Sequence, residues 1–247
     1  MRIWVVLPAF NEAENLPALF RGLIVVHDNT YNLDIHVLVV DDGSTDETAA
    51  VAGRDYSPLT VEVLRNGSNC GLAETFMRGM IAAAEKTGDD DIILCMDADN
   101  THLPGQLLQM TRKILEGRDV VIASRYRPGA VIKGVPFSRQ LMSLGMSFLF
   151  RTVFPIPGVR DYSCGYRAYR GEFLKRAIAS QGPALFSGEG FACMVALILR
   201  LHRMGAIFGE VPIVLRYDQK AGQSKMQMAR TIWRTLSVLA RERLRRT

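Results

Sequence analysis

The sequence predicts an α/β domain built on a mainly parallel sheet with helices on both faces. Short apolar runs at 3–7, 35–40, 61–64, 92–96 and 120–123 read as strands. Stretches of helical period separate them, which is the alternation of a parallel sheet. Polar clusters follow the first, second and fourth runs, at 8–12, 41–43 and 97–99. In sheets of this kind ligands gather at the carboxyl ends of the strands, so clusters far apart in sequence are expected to converge in space.

Each element has a local signal. After the first run, Asn11 and Glu14 have the spacing of a capping box, and after the second so do Ser44 and Glu47. Both pairs predict helix starts. A third helix is expected from Leu72 to Lys86, stopping at Gly88. Beyond Ser124 the alternation stops, and a glycine- and proline-punctuated stretch leads into 137–154. That segment is apolar but carries Arg139 and Arg151, so it reads as one or two short amphipathic helices. An apolar helix at 191–204, a late strand at 207–216 and a basic amphipathic helix at 226–244 complete the chain. No internal repeat is present. The organisation expected is one domain over 1–225, with halves at 1–124 and 125–225, followed by the C-terminal helix of 226–247.

Bulk properties bound the function. With 247 residues, 48% of them apolar, the chain can bury a single core. The formal charge of +5 is modest, but Arg230, Arg234, Arg241, Arg243, Arg245 and Arg246 face only Glu242. An anionic membrane surface is the partner this implies, and nucleic acid is not expected. Cys70, Cys95, Cys164 and Cys193 form no C-x-x-C pair, which suits a reducing, cytoplasmic setting. The first residues enter a strand pattern, so no cleavable signal is expected. The longest uncharged apolar stretches, 141–150 and 191–199, are about half the roughly 20 residues a spanning helix requires. Peripheral association is therefore expected, without a crossing of the membrane by this chain.

Asp97, Ala98 and Asp99 follow the strand at 92–96, so both carboxylates sit at a strand end where they can face one ion. Carboxylates with phosphate oxygens and water suit a hard divalent cation, Mg2+ or Mn2+. The same tripeptide also reads as a helix N-cap or a solvated turn. A calcium loop fits worse, because Thr101 and His102 occupy positions where that loop needs a ligand and a glycine. His102 reads as a supporting or packing residue. Asp41 and Asp42 end the second strand, and two acids at an apolar terminus need partners. Donors on a nucleobase or ribose would serve Asp41, whereas Asp46 and Glu47 suit the first turn of a helix. Pro8 to Glu12 is a strand-to-helix turn that can also set Phe10 and Glu12 against a base and its ribose.

The series LPAFNEAENL, VVDDGSTDET, NCGLAETFMRGM, MDADNTHLP, ASRYRPG, CGYRAYR and EVPIVLRYDQKAGQSKM spans nearly the whole chain. It resembles the family 2 glycosyltransferases and, within them, dolichol-phosphate mannose synthase and related polyprenyl-phosphate glycosyltransferases. The resemblance implies a GT-A type, Rossmann-like fold with C-terminal amphipathic helices. It also implies a nucleotide diphosphate sugar as donor, bound by the first half, and a polyprenyl phosphate as acceptor. By position, Pro8, Phe10, Glu12, Val39 and Asp41 would hold the nucleoside, and Asp97, Ala98 and Asp99 the metal and diphosphate. Arg125, Arg139 and Ser143 match positions that meet phosphate groups. Ser163, Gly165 and Arg167 would shape the sugar and acceptor side, and Lys225 stands in the segment that also contacts substrate. A membrane-anchored partner protein is compatible with the resemblance.

Departures from the family pattern are equally specific. Thr101 stands where the mannose synthases have a glutamine near the metal. Gln219 replaces an arginine, with Arg216, Lys220 and Lys225 close enough in sequence to supply positive charge. An acidic pair expected near 194–196 is absent, and Glu189 is the nearest carboxylate. A hydroxyl acceptor would require a general base, for which Glu189 or Asp161 is the candidate; an ionised phosphate requires none. The chain lacks the Q-x-x-R-W segment of processive polysaccharide synthases. Transfer to a phosphate in one inverting displacement is the reading favoured, with transfer to a hydroxyl as the alternative.

Overall fold

The structure is a computed structural model that describes residues 1–30, 33–190 and 192–219, apart from the side chains of Ser138 and Gln219. Lys220, Lys225 and the C-terminal helix expected at 226–244 lie outside the described residues.

Five strands fall where the apolar runs predict them: β1 (Arg2–Ala9), β2 (Asp34–Asp41), β3 (Thr60–Arg65), β4 (Ile92–Cys95) and β5 (Val120–Ser124). Helices α1 (Leu16–Asp28), α2 (Thr48–Ala52), α3 (Leu72–Lys86) and α4 (Gln106–Leu115) alternate with them. β4 and β5 are buried along their whole length and β1 nearly so. Helices cover both faces, which is why these runs are continuously apolar instead of alternating. Gly79 lets α3 approach closely: a Cβ there would lie 2.6 Å from Val6 and 2.7 Å from Val40. Leu107, Met110, Thr111 and Ile114 bury one face of α4 at helical spacing.

The second half departs from simple alternation. It contributes β6 (Val131–Lys133), α5 (Phe137–Val153), β7 (Arg167–Arg170), α6 (Gly171–Gln181), α7 (Ala192–Arg203), β8 (Phe208–Pro212) and β9 (Val214–Arg216). The main sheet has the order β3-β2-β1-β4-β7-β5-β8. β7 is antiparallel to β4 and β5, and the other pairings are parallel. The segment at 137–154 is one continuous helix, and α7 is buried on every side over 192–201, which explains its lack of a polar face.

The late strand expected at 207–216 is two strands in two sheets. β8 edges the main sheet, and β9 pairs with β6. The chain changes sheets at Ile213, whose N–H still donates to Ser124 O at 3.0 Å while its carbonyl accepts from Val131. Gln106 fixes the crossing, donating to Pro212 O at 2.6 Å and accepting from Val214 N at 3.0 Å.

Candidate active site

The sheet order sets β2, β1 and β4 side by side, with Ala9 opposite Asp41 and Val6 opposite Cys95. Their carboxyl ends therefore bring 8–12, 41–43 and 97–99 together, as the sequence pattern requires.

The capping boxes are not what holds the first two loops. Asn11 has a positive φ of 55° and its side-chain oxygen accepts from Thr45 N at 2.9 Å. Ser44 Oγ accepts from Asn11 N at 2.9 Å, and Thr48 Oγ1 from Glu12 N at 2.8 Å. α1 instead begins after Asn15, which bonds Glu12 through its side-chain amide. The residues read as helix caps thus bind the β1 and β2 loops to each other, because the parallel pairing puts those loops in contact. Pro8, Phe10 and Glu12 lie half-buried on this joint surface.

The adjacent acids have different tasks. Asp42 is satisfied internally: it accepts from Asn66 Nδ2, Cys70 N and Gly71 N at 2.8–2.9 Å, at the entry to α3. Asp41, 1% exposed, accepts from Ser44 N at 3.0 Å, with Arg65 Nε 3.6 Å from its other oxygen. Val39 is fully buried inside β2, so its side chain acts on this loop only by holding the strand that carries Asp41.

Asp97 and Asp99 emerge past β4 in distinct surroundings. Asp97 keeps 39% of its side chain exposed, whereas Asp99 is 9% exposed and accepts from Thr101 Oγ1 at 2.7 Å. Thr101, which departs from the family pattern, is therefore a fixed support for Asp99. Ala98 is buried beneath them. His102 accepts from Asp97 N through Nδ1 at 3.1 Å and stacks on Tyr166 at 4.9 Å. Its Nε2 lies 3.8 Å from Asp97 Oδ2, so it supports the motif from below.

Gly165 faces this pair: a Cβ there would lie 3.5 Å from Asp97 Oδ1. The 163–167 segment thus borders the paired carboxylates. Among the described residues no group of three or more His, Cys, Asp or Glu is arranged for a metal. The protein offers two carboxylates, one of them open to solvent, and hard oxygen donors of this kind fit Mg2+ or Mn2+ if phosphate oxygens complete the shell.

Two arginines behave differently from expectation. Arg167 is fully buried, donating to Met194 O at 2.7 Å and Tyr162 O at 2.8 Å. The expected substrate contact is corrected to a core role, because its guanidinium ties β7 to α7. Arg216, expected to supply positive charge where Gln219 replaces an arginine, is committed to a bidentate pair with Asp218 at 2.7–2.8 Å.

Arg125 follows β5 and is held by Asp161. Its Nε and Nη2 donate to the carboxylate at 2.8 and 2.7 Å, and Nη2 also reaches Ser163 Oγ at 2.7 Å. Asp161 is fully buried. Burial by itself would raise its pKa, but the Arg125 guanidinium and several hydrogen bonds outweigh that and hold it below the usual carboxylate range. An ionised, bidentate-paired carboxylate cannot serve as the general base of a hydroxyl transfer. Glu189, the other base candidate, is exposed in the turn before α7.

Next to Arg125, the Tyr126 hydroxyl lies 2.6 Å from Ser143 Oγ and donates to Ser143 O at 2.8 Å. This fastens α5 to the end of β5. Arg139 and Ser143, four residues apart, share the inward side of α5 with the buried Ser147 and Phe150. The opposite side is apolar and exposed: Phe137 at 78%, Leu141 at 58%, Leu144 at 55% and Phe148 at 71%. Among the described residues no helix is long and apolar enough to cross a membrane.

The glycosyl transferase family 2 model matches residues 4–177. The polyprenol monophosphomannose synthase of Mycolicibacterium smegmatis is 32% identical over 227 residues, covering 91% of this chain and 81% of that protein. The undecaprenyl-phosphate mannosyltransferase of Micrococcus luteus is 33% identical over 227 residues, covering 92% and 88%. Among solved structures, the glucosyl-3-phosphoglycerate synthase of Mycobacterium tuberculosis, in complex with Mn2+, UDP and glucosyl-3-phosphoglycerate, superimposes with a TM-score of 0.66. That match is 19% identical and covers 98% of this chain and 79% of that one, which shows a shared GT-A fold.

Proposed function

The chain belongs to glycosyl transferase family 2, and from that premise we propose that it moves a hexose from a nucleotide diphosphate sugar to a polyprenyl phosphate at the cytoplasmic face of a membrane. The names of the curated relatives favour mannose and a lipid phosphate. One observation carries the acceptor reading. α5 presents Arg139 and Ser143 on one side and a row of exposed apolar side chains on the other. An acceptor with an ionised head and a hydrocarbon tail needs that juxtaposition.

In this reading Asp41, with Pro8, Phe10 and Glu12, seats the nucleoside, and Asp97 and Asp99 would hold a divalent ion, which when bound would supply charge neutralisation for the diphosphate leaving group. Gly165 leaves room at Asp97 for the donor. Arg125, oriented by Asp161, and Arg139 with Ser143 set the acceptor phosphate, whose oxygen attacks the anomeric carbon. The bond from that carbon to the diphosphate breaks, and its electron pair leaves with the nucleotide. The configuration inverts in a single displacement, and no proton need be removed from the nucleophile. Lys225 is proposed to contact the same substrates.

The test is turnover of purified protein with GDP-mannose and UDP-glucose, with and without a short polyprenyl phosphate, in Mg2+, Mn2+ or chelator. Asp97→Ala and Asp99→Ala are expected to abolish transfer with melting temperature retained. Full turnover in chelator would refute the metal role. Preference for a soluble hydroxyl acceptor over every polyprenyl phosphate would refute the acceptor assignment.

A further inference from the structure

A cleft of about 640 Å³ opens beyond the C-terminal half of α5, away from the paired carboxylates, and its rim carries Arg127, Arg151 and Arg160. That volume is in the range of sites for small organic ligands. Glu210 is the one carboxylate among its lining residues, and it is buried. It is 4% exposed, accepts from Arg160 N at 2.6 Å and Asp161 N at 2.8 Å, and lies 3.8 Å from Arg127 Nε. The charge offered to a ligand is therefore positive.

The cleft also continues the apolar row of α5. Phe137, Leu141, Leu144 and Phe148 recur at steps of four, three and four, and Arg151 follows after three more. Phe148, 71% exposed, is part of the cleft wall as well as of the row. A cationic cavity at the end of an exposed hydrocarbon surface matches a ligand whose anion is attached to lipid. It is distinct from the proposed acceptor position, since Arg139 and Ser143 occupy the other side of α5.

We propose that this cleft binds the phosphodiester headgroup of an anionic membrane phospholipid and so sets how α5 lies on the bilayer. The inference rests on the membrane reading above and adds a defined, non-catalytic lipid site to it. In zwitterionic phosphatidylcholine the phosphodiester is compensated by its own ammonium, so that lipid would gain little beyond the apolar row, whereas the net negative headgroup of phosphatidylglycerol would also engage Arg151 and Arg160.

The experiment is vesicle cosedimentation of the full chain, using phosphatidylcholine alone or with one third phosphatidylglycerol. Arg151→Gln with Arg160→Gln is compared with Arg54→Gln with Arg112→Gln, two exposed arginines remote from the cleft in sequence. The cleft pair is expected to reduce affinity for phosphatidylglycerol vesicles about fivefold per arginine. Binding to phosphatidylcholine and turnover of a short, soluble polyprenyl phosphate should stay at wild-type levels. The remote pair should change neither. Equal loss in both double variants, or no loss in the cleft pair, would overturn the site while leaving the membrane reading intact. Arginine-dependent binding of inorganic phosphate or a hexaglutamate peptide, with vesicle binding unaffected, would replace the lipid by a free anion or an acidic partner. If wild type binds neither vesicle, the membrane reading itself fails and the site with it.

Discussion

Asp161 grips Arg125 through two guanidinium nitrogens at 2.7 and 2.8 Å, and the carboxylate is completely buried while a fifth of the arginine side chain remains exposed. The pair is thus directional, with one end anchored in the core and the other presented at the end of β5. Ser163, on the segment that also brings Gly165 to Asp97, accepts a third hydrogen bond from the same arginine. Positioning of the proposed phosphate contact and of the carboxylate motif is therefore mechanically linked.

Asp161→Asn should reveal that linkage. Removing one partner of a buried pair costs about 3–5 kcal/mol, because the other charge is left uncompensated. Misplacement of Arg125 by an ångström should lower kcat about a hundredfold in the molecules that remain folded. Urea unfolding and kcat corrected for folded fraction separate the two effects. A variant that loses stability but keeps full corrected kcat would show that Arg125 needs no positioning.

His102 gives a second, independent expectation. Its Nδ1 accepts from Asp97 N, so the ring proton belongs on Nε2. His102→Phe preserves the stack on Tyr166 but removes the acceptor. The Mn2+ concentration for half-maximal activity should then rise about 10- to 100-fold, the usual effect of losing an outer support of a metal ligand. His102→Asn keeps an acceptor near the δ position and should recover most of that loss. Equal behaviour of the two variants would reduce His102 to packing.

How much of this was legible depended on whether a residue's partner lay nearby in sequence. β1, β2, β4 and β5 could be read because a sheet covered on both faces needs uninterrupted apolar runs. β7 could not, since Arg167 and Arg170 occupy two of its four positions and pass for polar loop. The paired carboxylates of 97–99 were evident from their place after a strand. The role of Asp42 was hidden because its donors come from Asn66, Cys70 and Gly71, and the Asn11 and Ser44 side chains mimicked caps while bonding across two loops. A signal for Asp161 did exist: an acid two residues before the serine that also meets Arg125.

Arg167 should behave as a core residue. Its two hydrogen bonds to Met194 O and Tyr162 O cannot both be reproduced by a lysine, which lacks the planar fork. Each bond to a charged group contributes about 1.5–3 kcal/mol, so Arg167→Lys should lower stability by that order. The KM for donor should remain near wild type in the folded fraction. A large rise in KM without loss of stability would restore the substrate contact that burial argues against.

The last prediction uses two neighbouring carboxyls of opposite tendency. Asp161 N donates to Glu210 Oε1, yet the Asp161 carboxyl is held below its ordinary pKa and that of Glu210 is raised, chiefly by burial. For Asp161 the folded state binds its proton less readily than the unfolded chain. Its contribution is complete above the unfolded value, roughly pH 4, and disappears as pH falls through the lower folded value. For Glu210 the folded state keeps the proton longer. Wild-type stability should therefore fall, through this group, as pH rises from the unfolded carboxylate value past the raised folded one. Glu210→Gln can still accept from Arg160 N and Asp161 N through its amide oxygen, but it does not titrate. Melting temperatures of wild type and Glu210→Gln, measured from pH 4 to pH 8, should show the variant gaining on wild type as pH increases. Asp161→Asn should lag wild type by a constant margin over this interval, and the margin should shrink only when the series is extended below about pH 4. If Glu210→Gln instead fell progressively behind wild type toward pH 8, the ionised carboxylate would be stabilised by Arg127 strongly enough to reverse the effect of burial.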